Sequence, residues 1–155
     1  METTMVRALI EQIRDIVEEL QYVIDNGGNC VQWRHHGRLF FPAEGVEITL
    51  NPVERTLYHL FLSHPEGITA DNLLLHWDEL CQIYGKESCY DEKPRQLETM
   101  ESLCSESKKV FYSTVSRIKQ KVVKALGAWR AEAYFIKKGK DGVYKLKATL
   151  LPVDV

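Results

Sequence analysis

The side chains best suited to chemistry lie between Lys108 and Gly127, in KKVFYSTVSRIKQKVVKALG. Wound at ~3.6 residues per turn, this segment places Lys109, Ser113, Ser116, Arg117, Gln120 and Lys124 on one side. Cations, hydroxyls and an amide on one helix face are the groups that meet phosphate oxygens and base edges. No acid interrupts the stripe. Phe111, Val115, Ile118 and Val122, spaced by four, three and four, fall opposite and can enter a core. Gly127 reads as the helix stop. Most basic helix faces are merely solvated, so the functional reading needs support from the rest of the chain.

Charge segregation supplies some. The 155 residues carry a net charge of −2. Residues 1–107 hold 8 Lys+Arg and 19 Asp+Glu, a net of −11. Residues 108–147 hold 12 Lys+Arg and only Glu132 and Asp141, a net of +10, and Asp154 completes the total. Such asymmetry points the basic part towards a polyanion, unless the acidic part neutralises it in space. The composition, 45% hydrophobic and 27% charged, fits one domain with an appended element. No apolar run approaches the ~18 residues of a membrane span. Arg7, Glu11 and Arg14 interrupt what would be a signal peptide, so the chain is expected in the cytoplasm. Cys30, Cys81, Cys89 and Cys104 form no CxxC and are expected to be free thiols.

Two units position the stripe: an amphipathic helix in 1–28 and a domain in 29–155. Val6, Leu9, Ile13, Ile16, Leu20 and Val23 alternate spacings of three and four, an a/d seam across residues 4–25 that ends at Asn26-Gly27-Gly28-Asn29. The seam suits either self-association as a homodimer or packing on the chain's own domain. Cys30–His35 and Arg38–Phe41 read as strands joined by a two-residue turn at His36-Gly37, and Val46–Leu50 alternates as a third strand. Asn51-Pro52-Val53-Glu54 is a helix start, with a cap, an N1 proline and a capping-box glutamate. That helix runs to about Ser63. After His64-Pro65-Glu66-Gly67, Thr69 caps a helix over Ala70–Tyr84. Residues 85–107, with 3 Lys+Arg and 6 Asp+Glu, form a long connection that is mobile or carries a short helix near Leu97–Cys104. Beyond Gly127, Ala133–Ile136 reads as a strand, Lys137–Gly142 as a turn and Val143–Lys147 as the returning strand.

The fold class is therefore α+β. Helix, strands, three helices and a basic hairpin make a winged helix-turn-helix with N-terminal strands and an extra N-terminal helix. From Val46 to Leu146, roughly two-thirds of the chain, the sequence resembles the DNA-binding effector domain of OmpR/PhoB-type response regulators. EITLNPVERTLYHLFLSHPEGITADNLL is similar to that family's strand, first helix, turn and start of second helix. VSRIKQKV at Val115–Val122 resembles the second half of its recognition helix, and GVYKL at Gly142–Leu146 its closing wing strand. The resemblance implies DNA contacts at Lys109, Ser113, Ser116, Arg117 and Lys119, with Lys138 and Lys140 on the wing. It also implies that 85–107 can meet a protein partner. No receiver domain is read here, so no phosphoacceptor Asp is expected.

The expected function is a regulator that binds double-stranded DNA, with 108–127 in the major groove and the wing, 134–147, on the backbone. Lys109 and Lys124 would meet phosphates, while Arg117 and Gln120 would reach bases. The alternative is a winged-helix module that binds protein and has lost DNA. An enzyme is not expected, because no HExxH, GxSxG or phosphate loop is present. No cofactor, metal or membrane partner is expected. His35-His36 reads as turn decoration, and His59, His64 and His76 as surface or filler.

Overall fold

The strongest local signal, Asn51-Pro52-Val53-Glu54, forms as read. In the computed structural model, which describes residues 2–25, 29–88 and 92–151, the Asn51 side chain accepts from the Glu54 N–H at 2.9 Å. The Glu54 carboxylate accepts from the Asn51 N–H at 2.9 Å. This capping box opens α2 (Pro52–Ser63). Glu54 is 1% exposed and also pairs with the Lys121 ammonium, so one carboxylate starts α2 and fastens a later helix to it. Glu54→Ala should therefore cost ~2 kcal/mol, read from urea unfolding. Glu54→Gln keeps the cap and should cost about half of that. Equal losses for the two variants would mean that the cap contributes nothing.

Before α2 stand α1 (Glu2–Asp25), β1 (Cys30–Arg34), β2 (Arg38–Phe41) and β3 (Val46–Thr49). The Asn26-Gly27-Gly28 stop and Cys89 lie outside the described residues. β1 and β2 pair Arg34 with Arg38, which leaves three residues in the turn and not two. His36 and Gly37 both take positive φ, 64° and 71°, and a Cβ on Gly37 would stand 2.1 Å from the Arg55 guanidinium. That guanidinium bonds Leu50 O and, at 2.6 Å, Glu87. Glycine is thus required both by the backbone angle and by the close approach of Arg55.

After α2 come β4 (Ile68–Thr69), a 3-10 helix over Ala70–His76, and α3 (Trp77–Glu87). Thr69 does cap, accepting from Asn72 N at 3.2 Å, but the single helix read over Ala70–Tyr84 is wound in two ways. Three residues per turn align Ala70, Leu73 and His76. Leu73 is buried while Leu74 and Leu75 turn outward. The long connection is mostly helical: α3 runs to Glu87, and α4 (Lys93–Leu103) sends Met100 and Leu103 into the core. It starts earlier than Leu97 because Pro94 occupies its first turn.

α5 (Lys109–Leu126) ends at Gly127, whose φ of 84° and N–H bond to Val123 O at 2.8 Å complete the expected stop. α6 (Ala128–Ala131) follows. Ala133–Ile136 is not a strand: Tyr134 N bonds back to Ala131 O at 2.9 Å, and Tyr134, Phe135 and Ile136 enter the core as a bent run. Burial without alternation gave it the look of a strand. The hairpin is β5 (Lys137–Lys138) and β6 (Val143–Lys145), so Lys137 and Lys138 belong to a strand and the turn is 139–142. β7 (Thr149–Leu150), which the sequence reading lacked, lies parallel to β1.

The molecule is α+β, with sheets ordered β3-β2-β1-β7 and β4-β6-β5 around one apolar core. That core joins Leu39, Phe41 and Leu50 to Leu57, Phe61, Leu80, Phe111, Ile118 and Tyr144. α1 stands apart from it: Met5, Val6, Leu9, Ile10, Ile13, Ile16, Val17 and Leu20 are each 50–68% exposed. Among the described residues no helix is long and apolar enough to cross a membrane.

Candidate nucleic-acid interface

α5 buries Phe111, Thr114, Ile118 and Val122, with Val115 half-buried. The inward face is thus turned slightly from the expected one, because the Thr114 hydroxyl can donate to Val110 O at 2.7 Å and be buried without an orphaned group. Lys109, Ser116, Arg117, Gln120 and Lys124 are exposed on the opposite side. Ser113 is half-buried, and its hydroxyl donates to Val110 O at 3.1 Å, leaving its oxygen as an acceptor. Tyr112, exposed one turn before Ser116, adds a phenol beside the stripe. Its four-residue spacing from Ser116 was readable, but an aromatic next to buried Phe111 looks like core.

The acidic part of the chain neutralises only some of these cations. Lys108, in a left-handed conformation, pairs with Asp71, and Lys121 pairs with Glu54. Both are structural ties between α5 and the preceding helices. Lys109, Arg117, Lys119 and Lys124 have no ion pair with a described residue.

Lys119 sits off the stripe, its ammonium 5.2 Å from the centre of the Phe135 ring, at the base of the hairpin. There the Lys137 ammonium, 2.5 Å from Glu132, is the main cause holding the Glu132 carboxyl below its usual range; Lys147 and Lys119 act in the same direction. Lys138 and Lys140 are exposed on the hairpin with Lys145 and Lys147, and Asp141 lies in the same group. Asp141 accepts from Val143 N at 3.1 Å and so belongs to the turn. Phe111 meets Tyr144 edge to face at 5.1 Å, which couples α5 rigidly to β6. Two cationic surfaces, one helical and one on a hairpin, are therefore fixed to one core.

The remaining acids are mostly elsewhere. Asp78 on α3 and Glu98 and Glu101 on α4 are exposed. His64 and His76 are not isolated filler: their rings lie 4.5 Å apart, with Glu79 between them. The hydrogen bond to Glu79 is the main cause raising the His64 pKa, assisted by Glu66 and opposed by partial burial.

Comparison of the chain with protein-family models, curated proteins and solved structures found no match.

Proposed function

We propose that the chain is a DNA-binding regulator of the winged helix-turn-helix class, with α5 in the major groove and the β5–β6 hairpin as the wing. The observation that carries this is the acid-free exposed face of α5, whose Lys109, Arg117 and Lys124 make no ion pair with a described residue while Lys108 and Lys121 are tied into the fold. Lys109 and Lys124 flank the stripe and suit phosphates, and Arg117, Gln120, Ser113 and Ser116 suit base edges. Lys119, Lys138 and Lys140 suit the backbone beside the hairpin. The OmpR/PhoB resemblance assigns α5 the same task. The exposed apolar face of α1 further supports pairing of two copies, which would set two recognition helices on successive half-sites.

The exposed acids of α3 and α4 favour one competitor, a module that uses the same basic face for an acidic protein. Fluorescence anisotropy with random-sequence duplex across a salt series tests the DNA reading first. Neutralising ~5 phosphates gives a log–log slope of about −4 to −5. A slope near zero would remove the electrostatic interface on which the reading depends.

A further inference from the structure

We propose that His64, His76 and Glu79 form a site for a divalent transition-metal ion, zinc in the first instance, that clamps the end of α2 to the start of α3. His64 Nε2 lies 2.8 Å from Glu79 Oε2, and His76 Nδ1 lies 3.8 Å from the same oxygen. One donor atom from each of the three residues falls within 4.8 Å of the others. Bonds of ~2.0–2.2 Å to a tetrahedral ion set neighbouring donors about 3.3 Å apart. The observed spacings straddle that value, and modest ring rotations close the difference.

The surroundings are those of a metal ligand set. His64 Nδ1 lies 3.0 Å from Glu66 Oε1. A carboxylate on the far ring nitrogen fixes the tautomer and leaves Nε2 with its lone pair facing inward. Without an ion, a second proton on His64 bridges Nε2 to Glu79; a metal ion can take that proton's place, with the Nε2 lone pair and the Glu79 oxygen both turned to it. His64, His76 and Glu79 are 22%, 24% and 37% exposed, which admits an ion and a water as fourth ligand. Two imidazoles and a carboxylate select zinc-like ions over magnesium or calcium, which prefer all-oxygen sites.

The position gives the site a use. His64 is the C-cap of α2, His76 ends the 3-10 turn, and Glu79 stands in the first turn of α3. An ion there would tie the end of α2 to the start of α3, at the opposite end of the helix pair from the Arg55–Glu87 contact and beside the two-residue strand β4. The site stands independently of the DNA reading, since none of its residues belongs to α5 or the hairpin.

Untagged, chelator-treated protein titrated with Zn²⁺ in a calorimeter should bind one equivalent per chain and melt at a higher temperature when loaded. His64→Gln, His76→Gln and Glu79→Gln should each abolish stoichiometric binding, and Glu66→Gln should weaken it ~10–100-fold. The pair His35→Gln/His36→Gln should bind as the wild type does. Zinc-edge X-ray absorption on the wild type needs no variant to fold and should show two imidazoles and no sulfur. Sulfur in the first shell, binding unchanged by His76→Gln, or no stoichiometric binding would each overturn the proposal. In the last case, a second proton on His64 is the only cation between the carboxylates.

Discussion

Ile13→Glu combined with Leu20→Glu is expected to leave the chain monomeric and to unravel α1, and the wild type is expected to pair through that helix. Eight large apolar side chains of α1 are at least half exposed, so the domain does not bury them. Five of them, Val6, Leu9, Ile13, Ile16 and Leu20, keep the a/d spacing that a second copy satisfies, and Met5, Ile10 and Val17 flank that seam. Covering the ten a/d side chains of two copies, at ~1 kcal/mol each, contributes ~10 kcal/mol, which is comparable with an association cost of ~4–15 kcal/mol. An amphipathic helix such as α1 draws most of its stability from packing its apolar face, so it loses helicity when that face is left uncovered. The double variant places four carboxylates in the seam, and desolvating them should weaken pairing by more than ~1,000-fold. Sedimentation velocity at tens of micromolar reads the mass, and far-ultraviolet circular dichroism reads the lost helix. If the wild type already sediments as a monomer, the α1 face is not a self-association surface.

What could be read from the chain followed the strength of local physics. The α2 start was legible because three signals coincide within four residues, and each forms. The basic helix was legible because one face is free of acid and Gly127 ends it. Non-local contacts were not legible. β7 exists only through its parallel partner β1, more than a hundred residues earlier, and Thr149-Leu150 alone has no period. Tyr134, Phe135 and Ile136 look like a strand, yet the Tyr58 hydroxyl, donating to Tyr134 O at 2.9 Å, holds them as a turn. The partners of Lys108 and Lys121 are 37 and 67 residues away, so only the fold separates structural lysines from unpaired ones. His76 and Glu79 are a local i,i+3 pair, but His64 lies twelve positions before His76, and only the turn through β4 brings it to them.

Arg117→Ala and Lys124→Ala are expected to differ in kind, and that difference separates a DNA reader from a protein module. Both side chains are exposed on the same face of α5 and make no ion pair with a described residue. Arg117 offers a planar fork that can bind guanine through two bonds, whereas Lys124 offers a point charge suited to phosphate. For a reader, Arg117→Ala should cost ~1–3 kcal/mol at the preferred site and relax the preference at one base pair. Lys124→Ala should weaken all sequences alike and reduce the salt slope by ~1. Neither change touches the core, so both variants should unfold as the wild type does. A module predicts that neither change alters sequence preference and that both weaken capture of an acidic partner, because a basic stripe attracts either polyanion. Charge alone cannot decide between the two, so base preference at Arg117 is the deciding readout. If selection from random duplexes enriches no sequence, while one stoichiometric protein is captured and then lost in Arg117→Ala, α5 serves a protein partner and the DNA reading fails.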